Sequence, residues 1–86
     1  MNTKTARKFV RNALSTTSGE IWDSFTDKSI PGHRHVSFHV VFKDETEREP
    51  TLDSISEELA KEGIMAGYSC GHGPTYLRLY HVPFDG

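Results

Sequence analysis

Five histidines, three tyrosines and a single cysteine are the side chains of this 86-residue chain best suited to chemistry, and they gather in two stretches. In the first, Gly32-His33-Arg34-His35 sets two imidazoles two residues apart. In the second, Cys70-Gly71-His72 repeats that spacing with a thiol. Four such ligands would suit zinc, which takes Cys and His in a tetrahedron. The expected topology keeps the pairs apart, however. His33 and His35 open a strand whose far end lies by the turn that carries Cys70. About eight residues at about 3.3 Å each put about 25 Å between the two pairs. No metal site is therefore expected, and these residues are read as surface or hydrogen-bonding groups.

Nucleophilic catalysis is not expected either. A reactive thiolate needs a defined electropositive setting, and the glycines around Cys70 suit a tight turn at positive φ. Gly67-Tyr68-Ser69-Cys70-Gly71 fits the G-x-S-x-G pattern, but that pattern works only where a strand turns sharply into a helix over a large parallel sheet. Here Gly73, Pro74 and a second strand follow the serine. The reading assigns no catalytic residue, no enzymatic activity and no cofactor.

A different use suggests itself for His35, His39, Tyr76, Arg78 and Tyr80, which the strand period of two places on a single sheet face. Aromatic rings, imidazoles and a guanidinium are the groups enriched at protein–protein contacts. The same groups stack bases and hold phosphates. Near the N-terminus, Lys4, Arg7, Lys8 and Arg11 recur at helical spacing as one basic stripe, a second candidate for phosphate or acidic-partner contacts. Residues 44–62 carry eight acids against Arg48 and Lys61, so a net charge of −2 hides a dipolar chain.

The elements that must position these residues follow from the apolar pattern. Ala6, Phe9, Val10, Ala13 and Leu14 mark an amphipathic helix over 5–15. Ile21, Trp22 and Phe25 suggest a second, short helix over 19–27. Val36, Phe38, Val40 and Phe42 alternate along a strand over 35–43. The charged stretch 44–50 reads as a loop closed by Pro50, and Thr51 as the cap of a helix to Glu62 with Leu52, Ile55 and Leu59 inward. Gly63 suits the helix C′ position. Ile64 to Ser69 and Thr75 to Val82 form a hairpin in which Leu77, Leu79 and His81 share one side and Tyr76, Arg78 and Tyr80 the other.

The expected fold is one small α+β domain spanning 1–86, with order α-α-β-α-β-β. It has a three-stranded sheet, like half of a ferredoxin-like fold, with its helices on one face. The last strand lies between the other two, in a register pairing His39 with Arg78 and Phe38 with Leu79.

Composition narrows the function. At 35% hydrophobic residues the chain can bury only a thin core, with little material for an enclosed cavity. The longest apolar runs, such as Val40-Val41-Phe42, are three residues long, so no membrane span or leader is expected. One cysteine makes no internal disulfide, and a cytoplasmic setting is expected. The expectation is a small non-enzymatic binding protein that modulates or inhibits a larger protein or complex, as phage and mobile-element inhibitors do. Self-association through the open sheet face is compatible with it. The alternative is a nucleic-acid-binding module that uses the basic helix and the same face.

Overall fold

The computed structural model describes residues 1–27, 33–69 and 75–83. Helix α1 (Thr3–Leu14) is followed by strands β1 (Gly19–Asp27) and β2 (His33–Phe42), helix α2 (Arg48–Lys61), and strands β3 (Met65–Tyr68) and β4 (Thr75–Pro83). The four strands form an antiparallel sheet in the order β1-β2-β4-β3. Both helices lie on one side of it, making a small compact α+β domain.

Helix α1 begins at a capping residue, and α2 follows a short capped turn. The Asn2 side chain caps α1 by accepting from the Thr5 N–H at 2.9 Å. The face Ala6, Val10 and Leu14 is buried, and the Thr3 hydroxyl donates to the Pro83 carbonyl, tying the helix start to the end of β4. Residues 45–47 form a single 3-10 turn before α2, and Asp44 caps it through Thr46 N–H and Oγ. Those two bonds hold the Asp44 carboxyl below its ordinary pKa of 3.8. Helix α2 starts at Arg48, three residues before the expected cap Thr51. Pro50 then sits in its first turn, where a missing N–H leaves no bond unmade. At its other end Gly63 takes φ 77°, and Gly63 and Ile64 N–H close onto the Ala60 and Leu59 carbonyls.

Two expectations need correcting. Residues 19–27 are a strand, so the order is α-β-β-α-β-β and the sheet has four strands instead of three. The apolar spacing that suggested a helix comes from an extra residue: the β1–β2 register jumps between Ile21 and Asp23, so Trp22 and Asp23 together face His39. The β2–β4 register is also displaced by two residues from the expected one. Phe38 pairs with Leu77 and His39 with Tyr76, and Arg78 faces Ser37. A shift of two keeps the side chains of the regular stretch Val36–Val40 and Thr75–Leu79 on their expected faces.

The core lies between the sheet and the helices. Val36, Phe38, Val40, Phe42, Leu77 and Leu79 meet Leu52, Ile55, Leu59 and the buried face of α1. At the start of β1, Gly19 leaves the space that the Phe42 ring fills. A Cβ there would stand 2.8 Å from the Phe42 ring. The next residue back, Ser18, donates from N and Oγ to the Glu47 carboxylate at 2.7 and 2.8 Å, and its Oγ accepts from Asp44 N–H. This cluster fastens the start of β1 to the start of α2. No helix among the described residues is long and apolar enough to cross a membrane.

Candidate interaction face

With both helices on one side, the other side of the sheet carries no covering element among the described residues. His35, His39, Tyr76, Arg78 and Tyr80 come together there. Pairing sets them in rows across the strands. Asp23 lies beside His39 and then Tyr76; Phe25 beside Ser37, Arg78 and Gly67; Asp27 beside His35, with Tyr80 and Met65 beyond. His39 stacks on Tyr76 with centroids 5.1 Å apart, and Trp22 meets His39 edge-on at 5.7 Å. In the third row His35 meets the Tyr80 ring at 5.4 Å. Between the aromatic rows Arg78 Nε donates to Ser37 Oγ at 3.0 Å.

One further residue joins the face against expectation. Tyr80 and His81 both oppose His35, because the β2–β4 register shifts between Arg34 and Val36. His81 takes φ 52°, in the left-handed region that histidine enters more readily than most side chains. Its ring therefore packs 4.8 Å from His35 and 6.2 Å from His33, on the open side instead of beside Leu79. Val82 resumes the core face. The three imidazoles pack edge to face. Among the described residues no group of three or more His, Cys, Asp or Glu is placed to hold a metal ion. Cys70, His72 and the rest of the turn 70–74 lie outside the described residues. Just past β3, Ser69 donates from N to the Tyr76 carbonyl on β4, and its Oγ accepts from Tyr76 N–H.

Sequence reading missed the largest members of this face. Trp22, Phe25, Met65 and Tyr76 are 65%, 53%, 73% and 40% exposed, and all four lie on the open side. Only Tyr76 was among the expected site residues. The signal for Trp22 and Phe25 was the β-favouring content of Ile21-Trp22-Asp23-Ser24-Phe25-Thr26, which the helix reading overrode. Glu20, Asp23 and Asp27 also line this side of β1, giving the face an acidic border. Two open depressions of about 420 and 400 Å³ meet at Arg78 and Tyr80. Phe25, Asp27 and His35 line the first, and Gly67, Tyr68 and Tyr76 the second.

The basic stripe lies elsewhere. Helix α1 packs on the opposite side of the sheet, with Lys4, Lys8 and Arg11 exposed. Arg7 is only half-exposed and donates to Thr26 Oγ on β1, which takes it out of the stripe. The ion pairs of the acidic segment are local, Arg48 with Glu45 and Lys61 with Glu58, and the exposed α1 cations make none with it among the described residues.

No protein-family model matches the chain, and no curated protein or solved structure is significantly similar to it.

Proposed function

We propose that the chain is a binding protein that engages a larger protein or protein complex through the open sheet face and modulates it without chemistry of its own. One observation carries this reading: the large exposed apolar side chains Trp22, Phe25, Met65 and Tyr76 all lie on the side of the sheet that no helix covers. A lone exposed apolar residue is ordinary, whereas four large ones on one uncovered sheet side, with His39, Arg78 and Tyr80 between them, offer a contact surface. Three aromatics around an arginine are also the composition of an interface centre. The two depressions on this face are open troughs, shaped to receive a protruding side chain more than to enclose a small substrate.

The alternative reading, nucleic-acid binding, is favoured by the exposed cations Lys4, Lys8 and Arg11. Its two expected parts lie on opposite sides of the sheet, and the open face carries Glu20, Asp23 and Asp27, which repel a phosphate backbone. In that reading α1 would act alone.

The test is capture from a lysate by the tagged full chain, with and without nuclease. Wild type is compared with the Trp22→Ala/Tyr76→Ala double variant and with Lys8→Glu/Arg11→Glu. A stoichiometric protein that survives nuclease and is lost with the aromatic variant is the expected result. Capture that disappears with nuclease, or with the helix variant only, would overturn the proposal in favour of the alternative. Association of the chain with itself that depends on Trp22 and Tyr76, seen by sedimentation without any captured partner, would overturn it in favour of a dimer.

A further inference from the structure

Resting on the open-face reading, and deepening it, we propose that Arg78 receives a carboxylate of the partner, an Asp or Glu side chain seated between Tyr76 and Tyr80, with basic partner residues beside it over β1. Arg78 occupies the centre of the face, on the inner strand β4. Its Nε is committed to Ser37 Oγ, and Ser37 is 8% exposed, so the guanidinium is anchored from beneath. The terminal N–H groups keep the forked geometry that matches a carboxylate. Arg78 makes no ion pair with any described residue, so its charge stands uncompensated on the face.

The surroundings are shaped for an incoming group. Gly67, directly across from Arg78 on β3, adds no side chain, and a Cβ built there would find its nearest neighbour, the Tyr80 ring, at 4.0 Å. The two depressions meet at this arginine, with Tyr76 and Tyr80 two residues away on either side. Aromatic walls exclude water once the site is covered, which strengthens a charge-assisted bond.

Charge complementarity fixes the class of partner. Asp23 lies on β1, two strands from Arg78 and one row along, which puts it roughly 12 Å away, and Glu20 stands farther along the same strand. A polyanion would meet attraction at one row and repulsion at the next. A protein surface with an acidic side chain flanked by basic residues satisfies both.

The probe is 3-phenylpropionate, compared with its neutral amide 3-phenylpropanamide, titrated into the isotope-labelled full chain and followed by NMR. The acid is expected to shift the Arg78 Nε–H and the Gly67 and Tyr76 amides, with an affinity about tenfold above the amide's, the effect of one charge-assisted contact. Arg78→Gln should bring the two affinities together, and Ser37→Ala should weaken the acid alone.

Equal affinities in the wild-type chain would sink the proposal. So would acid-induced shifts at Lys4, Lys8 and Arg11 as large as those at Arg78, which would show generic charge attraction. A ten-nucleotide oligothymidylate that shifts Arg78 at lower concentration than the acid would transfer the site to nucleic acid. The captured partner separates this inference from the reading beneath it. If the Trp22→Ala/Tyr76→Ala variant loses the partner and Arg78→Gln retains it fully, the open face is the contact and the carboxylate assignment falls. If both variants retain the partner, both fall.

Discussion

The two sides of one sheet have opposite relations to solvent. Along β2, Val36, Phe38, Val40 and Phe42 are at most 5% exposed beneath the helices, while His35, His39 and Val41, on the same backbone, are partly exposed. On the covered side the apolar residues are those the fold needs. On the open side Trp22, Phe25, Met65 and Tyr76 remain in water with no described element over them. A half-covered antiparallel sheet normally places polar residues outward. Large apolar groups where the fold does not require them point to a use outside the fold.

The strongest way to break that contrast is to cut into the covered side. Phe38 is fully buried between Ser24 on β1 and Leu77 on β4. Phe38→Ala should cost about 3–5 kcal/mol, from lost burial and the cavity left behind. That is a large part of the roughly 5–15 kcal/mol that holds a domain folded. Urea unfolding followed by far-UV circular dichroism measures it. A loss below about 1 kcal/mol would mean that the helices do not clamp this face as described.

Next comes the corner that joins the two halves of the covered side. Glu47 accepts two hydrogen bonds from Ser18, and together they hold β1 to the start of α2. Glu47→Ala leaves the Ser18 donors without their charged acceptor and should cost about 1–3 kcal/mol in the same measurement. Glu47→Gln, which keeps one carbonyl acceptor, should fall between that and wild type. If the alanine variant is as stable as wild type, water replaces the contact at no cost and the corner is no fastening.

How much of this was legible in the sequence depended on whether the strand period held. β2 alternates without interruption between Val36 and Phe42, and its two faces could be read directly. β4 alternates through Tyr80, so Tyr76, Arg78 and Tyr80 were placed on the correct side even with the register displaced by two. Both misplacements fall at irregularities. The extra residue at Trp22 gave β1 an apolar spacing like a helix's, and the left-handed residue His81 crossed from the expected core side to the open one. A bulge breaks the period that sequence reading relies on, and each one here adds a ring to the open face. The sheet faces of β2 and β4 were therefore read where the strands are regular, and Trp22 and His81 were misplaced where they are not. The Glu47–Ser18 corner had no local signal, because its partners stand 29 residues apart.

The smallest expected effect is the most informative about the contrast. Trp22→Ala combined with Tyr76→Ala removes two rings from the open side, one 65% and the other 40% exposed. Their folded-state partner is His39, which stacks on Tyr76 and receives the edge of Trp22. Cross-strand pairs of this kind stabilise a sheet by about 0.2–1 kcal/mol each. The double variant should therefore lose no more than about 1–2 kcal/mol, well short of Phe38→Ala, read by circular dichroism because it lacks the chain's single tryptophan. A loss as large as that of Phe38→Ala would make the aromatic rows a second core, and their exposure would then need no partner to explain it. A small loss of stability accompanied by loss of a captured partner would separate the roles of the two sides. Residues that the fold can spare, and that binding cannot, are what an interaction face consists of.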